Sequence, residues 1–270
     1  VAGHGPCRTE LARLAAERLR QALRDDADVL TPSILPELEA GLAHFDLDER
    51  YASLRDPLGW ISLTSRPSGA RVTLEGEAEP RSRTTPLEFL TLPEGSYVAI
   101  LEAPGYTPAR LPFLVRRAAA YETEGARPGR TLAVELLPAD EVPEGFVLVP
   151  AGESLIEDDP PRWQRIESFL MQRHEVSWSE LLGWAQACED AGRPLAFAPD
   201  MPLVRAASGR WQLGPEVHPD WPAKGATPMD MFDWTSALDG RFPSAPRDWI
   251  PTLPTRAEWV RAARGADGRP

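Results

Sequence analysis

Asparagine is absent from this chain and lysine occurs once, as Lys224, so all but one of the 29 basic residues are arginine. Without asparagine there is no N-glycosylation acceptor. The skew from lysine to arginine reads as GC-rich coding rather than as function. Cysteine is almost as scarce, with only Cys7 and Cys188. A disulfide scaffold needs several cysteines, and a structural zinc site needs about four closely spaced ligands. His4 and Cys7 have no second pair, so no metal site is expected there. Apolar runs are short: Phe146–Val149 is typical, whereas a membrane-spanning helix needs about 20 residues. No membrane-spanning segment is expected. A basic surface is lacking as well. The net charge is −12, with 7 basic against 11 acidic residues in 1–56, 9 against 11 in 57–142, and 13 against 19 in 143–270. Neutralising phosphates takes clustered Lys and Arg, so no nucleic-acid partner is expected. Gly-x-Gly-x-x-Gly, Walker, His-Arg-Asp and Asp-Phe-Gly motifs are all missing.

What is present is the composition of a globular protein. Of 270 residues, 42% are hydrophobic and 26% charged, which excludes a disordered tail. The length suggests about two domains. Proline and glycine, at 29 and 20 residues, stay below the roughly 25–30% that marks low complexity, and point to loop-rich β structure with helices. Val1–Gly5 has neither a basic start nor an apolar stretch, so no signal peptide is expected. The missing initiator methionine and the stop at Arg269-Pro270 lead to the expectation of a piece of a longer protein.

Residues 1–56 read as a helical connector. Leu11, Leu14, Ala15, Leu19 and Leu23 recur at helical spacing over 8–24, opposite an Arg/Glu face, and Leu35, Leu38, Leu42 and Phe45 repeat the pattern after Pro32. The polar face is not predominantly basic, so a packed hairpin is expected rather than a membrane-surface helix.

From Trp60 the apolar period changes to two. Ile61 and Leu63, then Ala70, Val72 and Leu74, then Leu132, Val134 and Leu136 alternate with polar neighbours, placing one set on a buried face. Turn signals separate them at Pro67-Ser68-Gly69, Pro93-Glu94-Gly95 and Pro104-Gly105-Tyr106. The second of these fits a type I turn into a strand over 96–101. Residues 57–141 are therefore expected to form a small β-sandwich. The ordered series Arg66-Pro67-Ser68-Gly69-Ala70, Thr85-Pro86, Leu92-Pro93-Glu94-Gly95 and Ala103-Pro104-Gly105-Tyr106 resembles a PEGA domain, with Pro-Ser-Gly-Ala as its naming tetrapeptide. That resemblance implies a non-catalytic spacing or interaction unit.

Composition shifts again after 138–144, and eight of the nine tryptophans lie beyond position 160. Ser177-Trp178-Ser179-Glu180 is a capping box for a helix that buries Leu181, Trp184, Ala185 and Cys188 and stops at Gly192. Cys188 is therefore expected to be a small core hydrophobe. Thr255 and Glu258 form a second box, with Trp259 placed to staple on Pro254, Ala262 and Ala263 allowing close packing, and Gly265 at the C′ position. Leu253-Pro254-Thr255-Arg256-Ala257-Glu258-Trp259, then Ala262-Ala263-Arg264-Gly265, resembles a stretch of the formylglycine-generating enzyme (sulfatase-modifying factor) family. Val147–Gly152, His174-Glu175-Val176-Ser177 and Met229–Trp234 stand upstream in the family's order. The resemblance covers 143–270 and implies an incomplete, C-type-lectin-like α+β domain. Arg256, Val260, Thr252 and Met231 depart from the family pattern at framework positions. The family's oxidation of a substrate cysteine uses a cysteine pair that binds copper, with calcium nearby, all in the later part of the domain. Neither Cys7 nor Cys188 sits in that motif, so no catalytic, cofactor-binding or metal residue is assigned. Copper and calcium are implied only for a complete, catalytic domain.

Three other constellations read as structural. Consecutive carboxylates at Glu157, Asp158 and Asp159 diverge and suit a solvated loop better than the 6–8 oxygens of a calcium site. His174 and Glu175 diverge and lack a nucleophile. His218-Pro219-Asp220-Trp221-Pro222 is a turn-rich loop whose tryptophan packs or binds. Helices, a PEGA-like sandwich and this third domain together resemble the C-terminal region of modular bacterial serine/threonine kinases, an analogy of architecture. The favoured expectation is a non-catalytic binding or sensing module of a larger bacterial signalling protein, for a protein, small-molecule or carbohydrate ligand. One alternative is a formylglycine-generating oxidase whose catalytic half follows residue 270. The other is a structural or regulatory tail of a kinase.

Overall fold

The computed structural model describes residues 5–28, 35–77, 81–117, 130–157, 161–193, 201–224, 228–237 and 249–266. They form an α+β protein whose chain divides into two compact units. The first takes 1–139, 148–169 and 256–270, and the second 140–147 and 170–255.

The first unit begins with α1 (Gly5–Asp28) and α2 (Leu35–Phe45), followed by a 3-10 turn over Ala52–Arg55. Ala16, Leu19, Leu23, Leu42 and Leu54 make their common core. The expected apolar face of α1 is partly wrong: Leu11 and Leu14 are exposed, and Ala12 and Ala16 are buried instead. Ala16, Leu19 and Leu23 lie on one helical face and pack with Leu42 and Leu54, which leaves Leu11 and Leu14 turned to solvent. Arg13 bonds to Glu10 and Glu17 one turn away on the exposed side. Asp46 ends α2 by accepting from the N–H groups of Arg50 and Tyr51, at 2.9 and 2.8 Å.

Next come β1 (Leu58–Arg66), β2 (Arg71–Glu75), β3 (Ser82–Thr84), β4 (Leu87–Pro93), β5 (Gly95–Glu102), β6 (Ala109–Val115) and β7 (Arg130–Glu135). They make two sheets, β4-β1-β7 and β3-β2-β5-β6. β1 runs antiparallel to β4 and parallel to β7. The alternation predicts the inward side chains: Ile61, Leu63, Ala70, Val72, Leu74, Leu132, Val134 and Leu136 are all buried. Pro93-Glu94-Gly95 carries the chain from one sheet to the other, because β4 and β5 lie in different sheets. At Ala103–Tyr106, the Tyr106 N–H donates to the Ala103 carbonyl at 3.1 Å with Gly105 at φ +79°. That is the type II pattern, in which the third residue needs the left-handed region.

The motif residues of the sandwich converge on one corner. Buried Thr85 accepts from the Ala70 N–H at 3.0 Å and shares a 2.5 Å hydrogen bond with the Ser65 hydroxyl. The backbones of Gly69, Ala70 and Thr85 close the same corner with bonds of 3.1 and 2.9 Å. Arg66-Pro67 and Thr85-Pro86 are both cis. Arg117 joins the sandwich to the helices, gripping Glu94 bidentately at 2.5 and 2.8 Å and bonding to Glu39 of α2.

Beyond the sandwich lie β8 (Phe146–Val149), β9 (Gly152–Ile156), β10 (Arg162–Ile166), β11 (Phe169–Gln172), α3 (Trp178–Asp190), β12 (Leu203–Arg205), β13 (Trp211–Leu213), α4 (Pro228–Ala237) and α5 (Arg256–Arg264). β9 and β10 form an antiparallel hairpin, β8 pairs with β11, and β12 with β13. Within the first unit the Arg116 guanidinium lies 4.4 Å over the Trp163 ring of β10. The second unit has its own core of Trp178, Leu181, Trp184, Cys188, Met201, Leu203 and Trp234. Among the described residues no helix is long and apolar enough to cross a membrane.

Candidate functional site

Two places gather the residues singled out in 143–270. One is the seam of β9 with α5, in the first unit. The helix starts at Arg256, directly after Thr255. Its buried face is not the expected one: Ala262 and Ala263 are exposed, Trp259 keeps 53% of its surface, and Val260 and Arg261 turn inward. Arg261 is only 1% exposed. Its Nε donates to the Pro150 carbonyl at 2.8 Å, and one terminal nitrogen donates to the Glu153 carbonyl at 3.2 Å and to the Ser154 hydroxyl at 3.1 Å. A buried charge is tolerated only where such bonds replace water. Gly152 makes the space, since a Cβ there would lie 2.4 Å from a guanidinium nitrogen and 2.9 Å from its carbon. The Ser154 hydroxyl donates to the Gly265 carbonyl at 3.1 Å, and the Leu155 N–H to that of Ala266 at 2.8 Å. Gly265 takes φ +77° and bonds back to Arg261, as a C′ glycine does. This seam is a structural lock.

The other place is the start of α3, in the second unit. The capping box forms as the sequence predicts: the Ser177 hydroxyl accepts from the Glu180 N–H at 3.3 Å and the Glu180 carboxylate accepts from the Ser177 N–H at 2.8 Å. The far end closes through Gly192 and Arg193, which donate to Glu189 and Cys188 at 2.9 and 2.8 Å. The His218–Pro222 loop supplies further acceptors. Carbonyls of Trp221 and Pro219 take the first-turn N–H groups of Trp178 and Ser179 at 3.0 and 2.9 Å, and the Ala223 N–H donates to Val176 at 2.8 Å. With its backbone so engaged, the loop holds the Trp221 ring outward at 58% exposure. The His218 ring lies 6.1 Å away, tilted by 34°. The Asp220 N–H donates to His218 Nδ1 at 3.3 Å. Exposed Lys224 follows two residues after the loop.

The remaining candidates fall elsewhere. Cys7 is exposed on α1 and Cys188 is enclosed by the tryptophan-rich core, both free. Copper needs soft ligands brought together, and among the described residues the Cys188 thiol, packed among Trp178, Leu181 and Trp184, is not placed to supply one. Glu157 is engaged by α5: its carboxylate pairs with Arg264 at 2.8 Å and its carbonyl accepts from Arg256 at 2.6 Å. Asp158 and Asp159 lie outside the described residues. His174 and Glu175 are both exposed. Among the described residues no group of three or more His, Cys, Asp or Glu could hold a metal ion. Arg261 escapes sequence reading because arginine reads as a surface residue, and the one available signal is Gly152 in a strand-opening turn.

Comparison with known families matches residues 58–124 to the PEGA domain and residues 134–269 to the sulfatase-modifying factor enzyme 1-like domain. No curated protein matches the chain. The second match takes in just over half of the chain, including the β9–α5 lock and the loop-capped start of α3: the chain belongs to the sulfatase-modifying factor family, with a PEGA domain ahead of its family domain.

Proposed function

We propose that the family domain of this chain is a non-catalytic binding module of a larger bacterial signalling protein, recognising an extended segment of a partner protein through the Trp221 loop. The observation that carries this is the pinned loop. Its carbonyls cap α3, so little backbone freedom remains to be lost on association, and an exposed tryptophan presented rigidly is the commonest kind of interface anchor. His218 and Asp220 beside it supply a donor and a carboxylate for the peptide backbone or a basic side chain. The PEGA sandwich, tied to α2 through Arg117, serves as the spacer that sets the module's position.

A fluorescently labelled, cysteine-containing peptide, incubated with the chain and copper(I) under oxygen, separates the readings. Binding by anisotropy that weakens roughly tenfold in Trp221→Ala, with the thiol intact, is the expected result. Absence of binding overturns the proposal. Family membership favours a second reading, the oxidase, and aldehyde formed on the peptide and captured by a hydrazide would move the assignment there.

A further inference from the structure

The outer face of the β4-β1-β7 sheet carries a second feature, independent of the Trp221 loop. The register places Trp60 opposite Thr91, Ser62 beside Thr131, and Thr64 beside Ala133. Pairing of β1 with β4 slips between Ile61 and Leu63, so Glu88 and Phe89 together oppose Ser62. This is a bulge, and it presents Phe89 to solvent at 51% exposure. Phe89 takes φ +51°, a region that crowds any Cβ and is rare for bulky side chains. Its N–H donates to the Ser62 hydroxyl at 3.3 Å. Thr91, Thr131 and Ala133 are exposed and Trp60 half-buried on the same face. Phe89 stands two positions along β4 from Thr91, the partner of Trp60, so the two rings belong to the same stretch of this face.

The charge pattern states what would lie there. In a chain of net charge −12, the middle of this face, among the described residues, holds aromatic rings, hydroxyls and a methyl. Charges stand at its rim: Glu88 at the bulge, and Arg66 opposite Glu135 at the far end. An uncharged surface with aromatic rings and hydroxyls inside and a carboxylate at the edge is complementary to an uncharged polyhydroxylated chain. The rings stack on the C–H faces of sugar rings, and hydroxyls and carboxylate exchange hydrogen bonds with the sugar. Strand addition is the lesser fit, since a bulge on an edge strand blunts it as a pairing template.

We infer that the PEGA sandwich binds a neutral oligosaccharide across the outer face of β4-β1-β7, with Phe89 and Trp60 as its stacking platform. Calorimetric titration of the full chain with cellohexaose, xylohexaose and chitohexaose, and with hexagalacturonate as the charged control, tests this. The expected result is saturable binding of at least one neutral hexasaccharide and none of the charged one. Phe89→Gly relieves the backbone, so it leaves Tm unchanged or raised while weakening binding about tenfold or more. Trp221→Ala leaves the binding unchanged. Failure of all three neutral probes overturns the inference, as does binding that survives Phe89→Gly. Loss in Trp221→Ala instead would move the sugar to the other unit's loop and overturn it too. Concentration-dependent self-association abolished by Phe89→Gly would identify a second copy of the chain as the occupant, the remaining way for it to fail.

Discussion

Gly152→Ala is a one-methyl change with a large expected cost. The added Cβ would stand 2.4 Å from a terminal nitrogen of Arg261, 2.9 Å from the guanidinium carbon and 3.0 Å from the other terminal nitrogen. The guanidinium has to withdraw by about an ångström, and its bonds of 2.8, 3.2 and 3.1 Å to Pro150, Glu153 and Ser154 cannot follow. Losing two bonds to a charged group, at about 1.5–3 kcal/mol each, puts the cost at ~3–6 kcal/mol. With a urea m-value of about 2 kcal/mol/M, the midpoint falls by ~1.5–3 M. The Leu155 amide, which donates to Ala266 across the same seam, gives a local readout by hydrogen exchange. Arg261→Ala removes the clashing group, so Gly152→Ala on that background is expected to cost less than about 0.5 kcal/mol, a coupling of some 2 kcal/mol or more. A penalty under about 1 kcal/mol in the first variant, or one that persists on the Arg261→Ala background, would refute the steric reasoning.

Three further outcomes are expected. Ser177→Ala removes the hydroxyl that caps α3 and costs about 1 kcal/mol, read as a fall in Tm, and an unchanged Tm counts against the box. Glu77 is held below the usual carboxylate range chiefly by its hydrogen bond to Arg83, at 2.7 and 2.6 Å. A lowered carboxylate stabilises the fold above its unfolded pKa and loses that stabilisation as pH falls through its folded value. The Tm gap between the natural chain and Glu77→Gln is therefore full at neutral pH and closes as pH drops below the ordinary value of 4.5; a gap that widens in acid contradicts the pairing. A thiol reagent should label Cys7 alone in the native chain and both cysteines in denaturant, because Cys188 is buried, and two fast thiols in the native state would show the tryptophan core to be open.

Much of this architecture is legible in the residues because it is local. Alternation at Ile61/Leu63 and at Ala70/Val72/Leu74 needs only the two-residue period of a strand, and Ser177 with Glu180 needs only one helical turn. What is not legible depends on partners far along the chain. α1 offers two faces of comparable apolarity, and the side that carries Ala16, Leu19 and Leu23 is selected because Leu42 and Leu54 pack against it. On α5 the alanines look like the packing side, yet Arg261 goes inward because Pro150, Glu153 and Ser154 offer acceptors some 110 residues upstream. The outward Phe89 depends on a register slip that no propensity records. Of the candidate site, the sequence marks the His218–Trp221 loop as turn-rich. That it caps α3, and so fixes the indole, follows from hydrogen bonds between segments about 40 residues apart.

The lock between β9 and α5 also sets a schedule. Arg261 meets Pro150 across 111 positions and Ser154 across 107, and chains grow at about 5–20 residues per second. From the moment Ser154 is made, the ribosome therefore needs roughly 5–20 s to produce the side chain that covers it. Meanwhile β9 waits with polar groups that the later helix satisfies, and residues 170–255, which carry the tryptophan-rich core, are synthesised in the interval. During birth of the protein, those residues have time to settle before the seam closes.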